Sequence, residues 1–189
     1  MRFRLLAGSL LAALALQGCA GTPAVIGNAQ QKSLQSLQLF SPDASPRFSL
    51  YLTCNDRHGS CAAAENAFSN WSRSRNIRLQ LMEPGDGSPA AGRARAGVPY
   101  RMTIELAPMI IPSYDESGGV HGDMRGGYSP PRIGYSAKID VFNAADGKLL
   151  LDVNAHDQKT GKYKGDANEY IRSEMSALIA SLDPGYVEH

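Results

Sequence analysis

Two cysteines seven positions apart, with a histidine and an aspartate between them, form the densest group of reactive side chains in the sequence. The stretch Cys54-Asn-Asp-Arg-His-Gly-Ser-Cys61 is compatible with two chemistries. A disulfide between Cys54 and Cys61 would close a short loop and, on chain-entropy arguments, stabilise the fold by roughly 2–3 kcal/mol. Alternatively, Cys54, His58 and Cys61 could bind a metal ion, with Asp56 as a fourth ligand.

A second group of polar side chains lies in a glycine-rich segment, at His121, Asp123 and Arg125. One interpretation is a mobile loop that presents these side chains to a ligand or a partner. The other is a flexible insertion between two strands, whose glycines only relieve backbone constraint. We favour the second, because long connections are often disordered. A phosphate-binding loop is excluded, because no Lys-Ser/Thr pair and no helix start follow the glycines.

The sequence lacks the short motifs of common hydrolases. It has no Gly-x-Ser-x-Gly, Ser-x-x-Lys or His-Glu-x-x-His pattern. A zinc site built from His121, Asp123 and His156 has neither helical nor short-loop spacing to support it, so we predict no metal site and no cofactor. We therefore expect a non-enzymatic protein. The alternative is a small metal-dependent or hydrolytic envelope enzyme that uses residues 113–132.

The N-terminal segment indicates where the protein is located in the cell and does not indicate an activity. Arg2 and Arg4 precede a nearly unbroken apolar run over residues 5–16, which is short for a bilayer span and typical of a secretory signal. The run ends in Leu16-Gln17-Gly18-Cys19, which resembles the lipobox of bacterial lipoproteins, where the cysteine is acylated and becomes the first mature residue. The resemblance implies a lipid anchor on Cys19. Because Ala20 rather than Asp follows, it also implies the periplasmic face of the outer membrane.

Export through this leader also bears on the other two cysteines. With Cys19 as the lipid site, Cys54 and Cys61 remain as a pair in an oxidising compartment, where disulfides persist. Structural metal sites with four ligands usually contain a second Cys or His pair. We therefore predict the Cys54–Cys61 disulfide. Removal of residues 1–18 leaves 17 Lys and Arg against 18 Asp and Glu, a balance that does not indicate a nucleic-acid partner.

Periodicity and breaks divide the chain into a signal peptide over 1–18, a lipidated N-terminus and tether over 19–46, and a single periplasmic domain over 47–189. Helical spacing of apolar residues predicts one helix over 61–75 and another that begins at Asp166. Residues 107–132 are predicted to form a long glycine-rich loop and 156–165 a polar turn. Alternation of apolar and polar residues predicts five strands, near 48–53, 77–81, 100–107, 133–141 and 149–153.

The resulting order β-α-β-β-β-β-α predicts an α+β fold, in which a mixed sheet of about five strands packs two helices on one face. This order, and the hairpin over 140–148, resemble small periplasmic lipoprotein domains of the penicillin-binding-protein activator and curli secretion lipoprotein type. The resemblance implies a binding or assembly role in the cell envelope. We expect an envelope protein as the partner, contacting Ile110, Ile111, Tyr114 and the glycine-rich segment.

Overall fold

The computed structural model describes residues 26–55, 61–85, 97–111, 114–115, 128–129, 131–160 and 166–187. They form the predicted α+β fold, a mixed five-stranded sheet, with three helices instead of two. The sheet order is β2-β1-β3-β6-β7, and β4 pairs with β5 in a separate two-stranded ladder. The elements are α1 (Asn28–Ser36), β1 (Phe48–Cys54), α2 (Cys61–Arg75), β2 (Arg78–Met82), β3 (Tyr100–Ile111), β4 (Tyr114–Asp115), β5 (Tyr128–Ser129), β6 (Arg132–Asn143), β7 (Leu149–Thr160) and α3 (Ala167–Leu182).

The first half of the sheet is the predicted strand–helix–strand unit. β1 pairs in parallel with both β2 and β3, and α2 makes the crossover from β1 to β2. The helix ends at Asn76, whose φ of 55° places it in the left-handed region. The amide of Ile77 then donates to the carbonyl of Ser72 at 2.8 Å, the hydrogen bond that closes a helix when the residue after it is left-handed.

The two ends of the predicted loop over 107–132 are strand residues of an antiparallel hairpin, so the loop prediction was wrong at these ends, and residues 116–127 between them lie outside the described residues. β3 continues through Pro108 to Ile111 and pairs with β6 up to the Ile111–Arg132 pair. Pairing resumes at Tyr114–Ser129, three positions further along each chain, so the register is unchanged. We call residues 107–111, 114–115, 128–129 and 132–136 the hairpin arm, because they lie beyond the point where β1 ends beside Leu106. Pro108 had suggested a break that β3 does not make.

The predicted hairpin at the C-terminal side of the sheet is present, but its second strand is longer than expected. The turn uses Gly147 at a φ of 72°, and the side chains of Asn143 and Asp146 accept backbone hydrogen bonds within it. β7 then runs to Thr160, and the predicted turn from His156 was therefore wrong over its first five residues. The reason is that β7 is an edge strand, whose last residues are polar on both faces and have no apolar alternation to mark them.

The core lies between one face of the sheet and helices α2 and α3. Apolar side chains line up across neighbouring strands, for example Leu52, Ile104, Ile139 and Val153. Each large side chain that is fully buried contributes roughly 1.5–3 kcal/mol. The helices supply the other half of the core, with Ala64, Phe68 and Trp71 from α2 and Ile171, Met175 and Leu178 from α3.

The folded domain begins before the predicted boundary at residue 47. Ile26, Leu34 and Leu39 are buried in the core, although we expected a tether up to residue 46. Gln31 of α1 donates from its side-chain amide to the carbonyl of Ser181 in the last turn of α3, at 2.6 Å. Residues 19–25, and the leader before them, lie outside the described residues.

A buried carboxylate joins the C-terminal ends of α2 and α3. Asp183, which follows α3, accepts from the guanidinium of Arg75 at 2.7 and 2.9 Å and from the indole of Trp71 at 2.9 Å. The Arg75 guanidinium also lies over the ring of Phe40, 5.7 Å from its centroid. Phe40 packs edge-on against Phe48 at the start of β1. These contacts fix what we call the proximal end of the sheet, at Phe48, Tyr100 and Asn143; the distal end lies at Cys54, Ile111 and Thr160.

Candidate functional site

The face of the sheet opposite the core carries two rows of mainly polar side chains. Because strand side chains alternate between faces, the residues between the core positions all point to this side. One row runs across three strands through Glu105, Lys138 and Asn154. The next row towards the distal end runs through Ala107, Ser136 and His156. Most of these side chains are exposed.

A shallow groove of about 400 Å³ lies over these two rows. Its lining includes the small side chains of Ala107 and Ser136. The groove begins beside Asn55, the residue after the cysteine that ends β1. Its lining offers a carboxylate, an ammonium group, an imidazole, a hydroxyl and two amides, from Glu105, Lys138, His156, Ser136, Asn55 and Asn154.

The ammonium group of Lys138 is already held by carboxylates beside the groove. Its Nζ donates to Asp140 at 2.9 Å and lies 3.8 Å from Asp152. The hydrogen bond and the charge of Asp140 raise the pKa of Lys138 above its usual value. Burial raises the pKa of Asp140, while Lys138 opposes that shift. Lys138 therefore remains charged at neutral pH, but much of its charge is compensated within the protein.

The groove can bind polar groups, and its geometry does not form a nucleophile–base pair. Ser136 and His156 face each other across β6 and β7. No hydrogen bond joins their side chains in the described part of the chain, whereas an activated serine requires such contact with its base. The arrangement suits hydrogen bonding to a polar ligand or to the backbone and side chains of a protein.

The structure places some of the predicted site residues and leaves others outside its description. Ile110 and Ile111 are half-buried at the end of β3, and Tyr114 lies in β4. His121, Asp123 and Arg125 lie outside the described residues, and so does the alternative site that would combine His121 and Asp123 with His156. His156 itself lies on β7 and lines the groove.

Cys54 and Cys61 form a disulfide, with their Cα atoms 5.8 Å apart. It connects the end of β1 to the first residue of α2, as predicted. Glu65 lies one helical turn after Cys61, with a carboxylate oxygen within 4.8 Å of both sulfurs. Sulfurs bonded to each other are not thiolate ligands, so this group does not form the alternative metal site. Asp56 and His58, its other proposed ligands, lie outside the described residues.

Sequence reasoning missed a polar cluster between α3 and the distal halves of β6 and β7. The hydroxyl of Tyr170 on α3 donates to a carboxylate oxygen of Asp157 on β7 at 2.5 Å. Burial raises the pKa of Glu174, one turn further along α3, and the charge of Asp157 raises it further. Tyr135 on β6 lies beside Asp157 in the sheet register. The spacing of Tyr170 and Glu174 on α3 was readable, but their partners on β6 and β7 were not.

Comparisons with known proteins give structural likenesses and no sequence family. No protein-family model and no curated protein matches the sequence. Solved structures similar to the chain include the PelC dodecamer from Paraburkholderia phytofirmans, at 12% identity and a TM-score of 0.42 over 71% of this chain and 86% of that one. Another is lipoprotein GNA1162 from Neisseria meningitidis, at 11% identity and a TM-score of 0.37 over 72% of this chain and 99% of that one.

A third similar structure is a minor lipoprotein from Acinetobacter baumannii, at 9% identity and a TM-score of 0.32 over 73% of this chain and 85% of that one. Structures of bacterial lipoproteins are thus among those that the chain resembles. With TM-scores below 0.5, these likenesses define neither a family nor an activity. Among the described residues, no helix is long and apolar enough to cross a membrane.

Proposed function

We propose that the chain is a lipoprotein of the bacterial cell envelope, anchored at the periplasmic face of the outer membrane through a lipid on Cys19. We propose further that it acts as a non-enzymatic binding or assembly module. The hairpin arm and the adjoining groove make the contact with an envelope protein. The observation that supports this proposal is that the arm and the contacts of the N-terminal helix α1 lie towards opposite ends of the sheet.

The anchored end of the domain is the proximal end. Ile26 is the first described residue after Cys19 and is buried. Five residues later, Gln31 donates a hydrogen bond to the carbonyl of Ser181. Ser181 lies two positions before Asp183, whose carboxylate accepts hydrogen bonds from Arg75 and Trp71. A chain of seven residues spans at most about 25 Å. The segment from Cys19 to residue 25 therefore keeps the proximal end close to the membrane surface.

The hairpin arm extends away from that end. A strand rises about 3.4 Å per residue, so Ile111 lies roughly 37 Å from Tyr100 along β3, and the β4–β5 pairs lie beyond it. The arm is therefore available to a partner in the periplasm rather than to the membrane that holds the anchor.

The surface of the arm has the mixed character of a protein-binding surface. Met109 and Ile111 are half-buried on the same face as the groove, next to Ala107. Apolar contact area bordered by hydrogen-bonding groups is the usual composition of protein–protein interfaces. An apolar strip beside a polar groove supports a protein rather than a small polar molecule as the ligand.

Lipidation is tested by the intact mass of the protein purified from its native membrane, compared with a Cys19→Ala variant. We expect a mass equal to residues 19–189 plus acyl groups, which increases by two hydrogens on reduction of the disulfide. The variant should lack the acyl mass and leave the membrane fraction. An unacylated wild-type protein would refute the anchor while leaving the binding surface untested by this measurement.

Binding is tested by a photo-crosslinking side chain placed at Ile111, with the same side chain at Leu150 as the matched control. Leu150 is exposed near the proximal end of β7. We expect a discrete crosslinked envelope protein from position 111 that is absent from position 150. Equal labelling from both positions, or none from either, would contradict the proposed surface.

A further inference from the structure

Four oxygen-bearing side chains meet where the first two turns of α3 cross β6 and β7. Asp157 accepts the hydroxyl of Tyr170 at 2.5 Å. Burial raises the pKa of Glu174, and the charge of Asp157 raises it further, while Lys159 and Tyr170 oppose the shift. The two carboxylates come from different elements, β7 and α3. The two carboxylates are therefore close through tertiary packing, although they are far apart in sequence.

The fourth side chain is buried beside them without a partner of its own. Tyr135 is 3% exposed, and its hydroxyl makes no hydrogen bond to any described residue. Tyr135 is the register partner of Asp157 in the β6–β7 pair. Burial raises the pKa of Tyr135, and the charges of Glu174 and Asp157 raise it further. A buried hydroxyl without a partner carries a cost of desolvation that a bound ligand would remove.

Among the described residues, the positive charge in contact with this cluster is that of Lys159. Its ammonium lies 3.9 Å from a carboxylate oxygen of Glu174 and 4.4 Å from the centroid of the Tyr170 ring. The side chain of Lys159 is 60% exposed, so an ion that binds Glu174 can displace it into solvent.

We propose that Asp157, Glu174 and the hydroxyls of Tyr135 and Tyr170 form a binding site for a hard divalent cation, with Ca²⁺ as the best match. All of the donors are oxygen atoms, and carboxylate and neutral oxygens are the ligands that Ca²⁺ takes in proteins. Lys159 occupies the approach and competes with the ion. Because α3 and β7 each supply a carboxylate, a bound cation would bind these two elements together.

The test is the thermal unfolding temperature of the full mature chain, after EDTA treatment, as CaCl₂ is raised to about 5 mM, a range that covers weak extracellular sites. KCl at matched ionic strength is the reference. We expect the unfolding temperature to rise with CaCl₂ in the wild type. Glu174→Gln, which keeps the shape of the side chain, should weaken the response at least about tenfold in concentration. Glu169→Gln, at an exposed position of the same helix, should respond like the wild type.

Two further variants distinguish a cation site from a purely structural cluster. Tyr135→Phe removes only the hydroxyl, so it should raise the unfolding temperature in EDTA but reduce the response to CaCl₂. Lys159→Gln removes the competing ammonium and should shift the response to lower CaCl₂. No rise in the wild type, or an equal rise in wild type and Glu174→Gln, would overturn the proposal.

Discussion

The two ends of α3 adjoin carboxylates in opposite conditions. At the C-terminal end, the buried Asp183 accepts three hydrogen bonds from Arg75 and Trp71, and its charge is matched by a bidentate guanidinium. Near the N-terminal end, Asp157 of β7 and Glu174 of α3 are half-buried. Glu174 has the exposed ammonium of Lys159 beside it, and the hydroxyl of Tyr135 has no partner among the described residues. The first cluster is complete within the chain, as expected of a structural element, and the second leaves capacity for a ligand.

This difference shows that burial of a charge does not by itself distinguish structure from function. Complete hydrogen bonding of a buried carboxylate indicates that the protein itself is the partner. Incomplete hydrogen bonding in a packed position requires an explanation, and a ligand is one. The two clusters also differ in their expected response to substitution.

The largest effect is expected at the complete cluster. Asp183→Ala would leave the Arg75 guanidinium and the Trp71 indole without their shared acceptor, and removal of one partner from a buried ion pair costs about 3 kcal/mol. Urea unfolding followed by Trp71 fluorescence measures the loss. Asp152→Ala, at an exposed carboxylate, is the control and should change the free energy of unfolding by less than about 0.5 kcal/mol. Equal losses in both variants would show that the Asp183 cluster is not structural.

A smaller effect is expected where the sheet passes behind the incomplete cluster. A Cβ atom on Gly134 would collide with the carbonyl oxygen of Asp157 and lie 2.9 Å from the Cα atom of Gln158. Gly134→Ala should therefore push β7 away from β6 and cost about 2 kcal/mol. The substitution should also displace Asp157 and weaken its hydrogen bond with the hydroxyl of Tyr170.

Gly27→Ala is the matched control for that substitution. Its Cβ atom would meet only a side-chain oxygen of Gln30, at an ordinary 3.5 Å. Urea unfolding of both variants gives the comparison, and amide exchange along β7 reports the local opening. An unchanged free energy of unfolding in Gly134→Ala would show that β6 and β7 do not need their close approach.

The smallest effect is a dependence of stability on pH. The pKa of Glu174 is raised above 4.5 by burial and by the charge of Asp157. The folded state then binds the Glu174 proton more tightly than the unfolded state, so this group makes stability fall as pH rises from 4.5 through the folded-state pKa. The free energy of unfolding of the wild type minus that of Glu174→Gln, measured in urea at several pH values, should therefore fall as pH rises across that range. A difference that stays constant or rises with pH would contradict the shift.

Local alternation predicted the centre of the sheet and most of the core. Leu50 and Leu52 alternate with polar residues, as do Ile104 and Ile139, and the apolar residues of α2 have helical spacing. Asp166 also begins α3 as predicted, because its side chain accepts from the amide of Asn168.

The incomplete cluster was not predictable for the opposite reason. Tyr135 and Asp157 meet through the β6–β7 register, and Glu174 reaches them through the packing of α3, so no stretch of sequence contains the group. The hairpin arm was missed because Pro108 and the glycine-rich segment resemble a loop. β3 continues because it pairs with β6 up to Arg132. The periodicity of one strand does not show whether another strand pairs with it.

The unchanged register of the hairpin arm has a consequence for how such a domain can vary. Because side chains alternate with a period of two, the addition or loss of two residues on each strand changes the length of the arm by about 7 Å without turning any side chain to the other face. The reach of the arm beyond the rest of the sheet is therefore adjustable independently of the core.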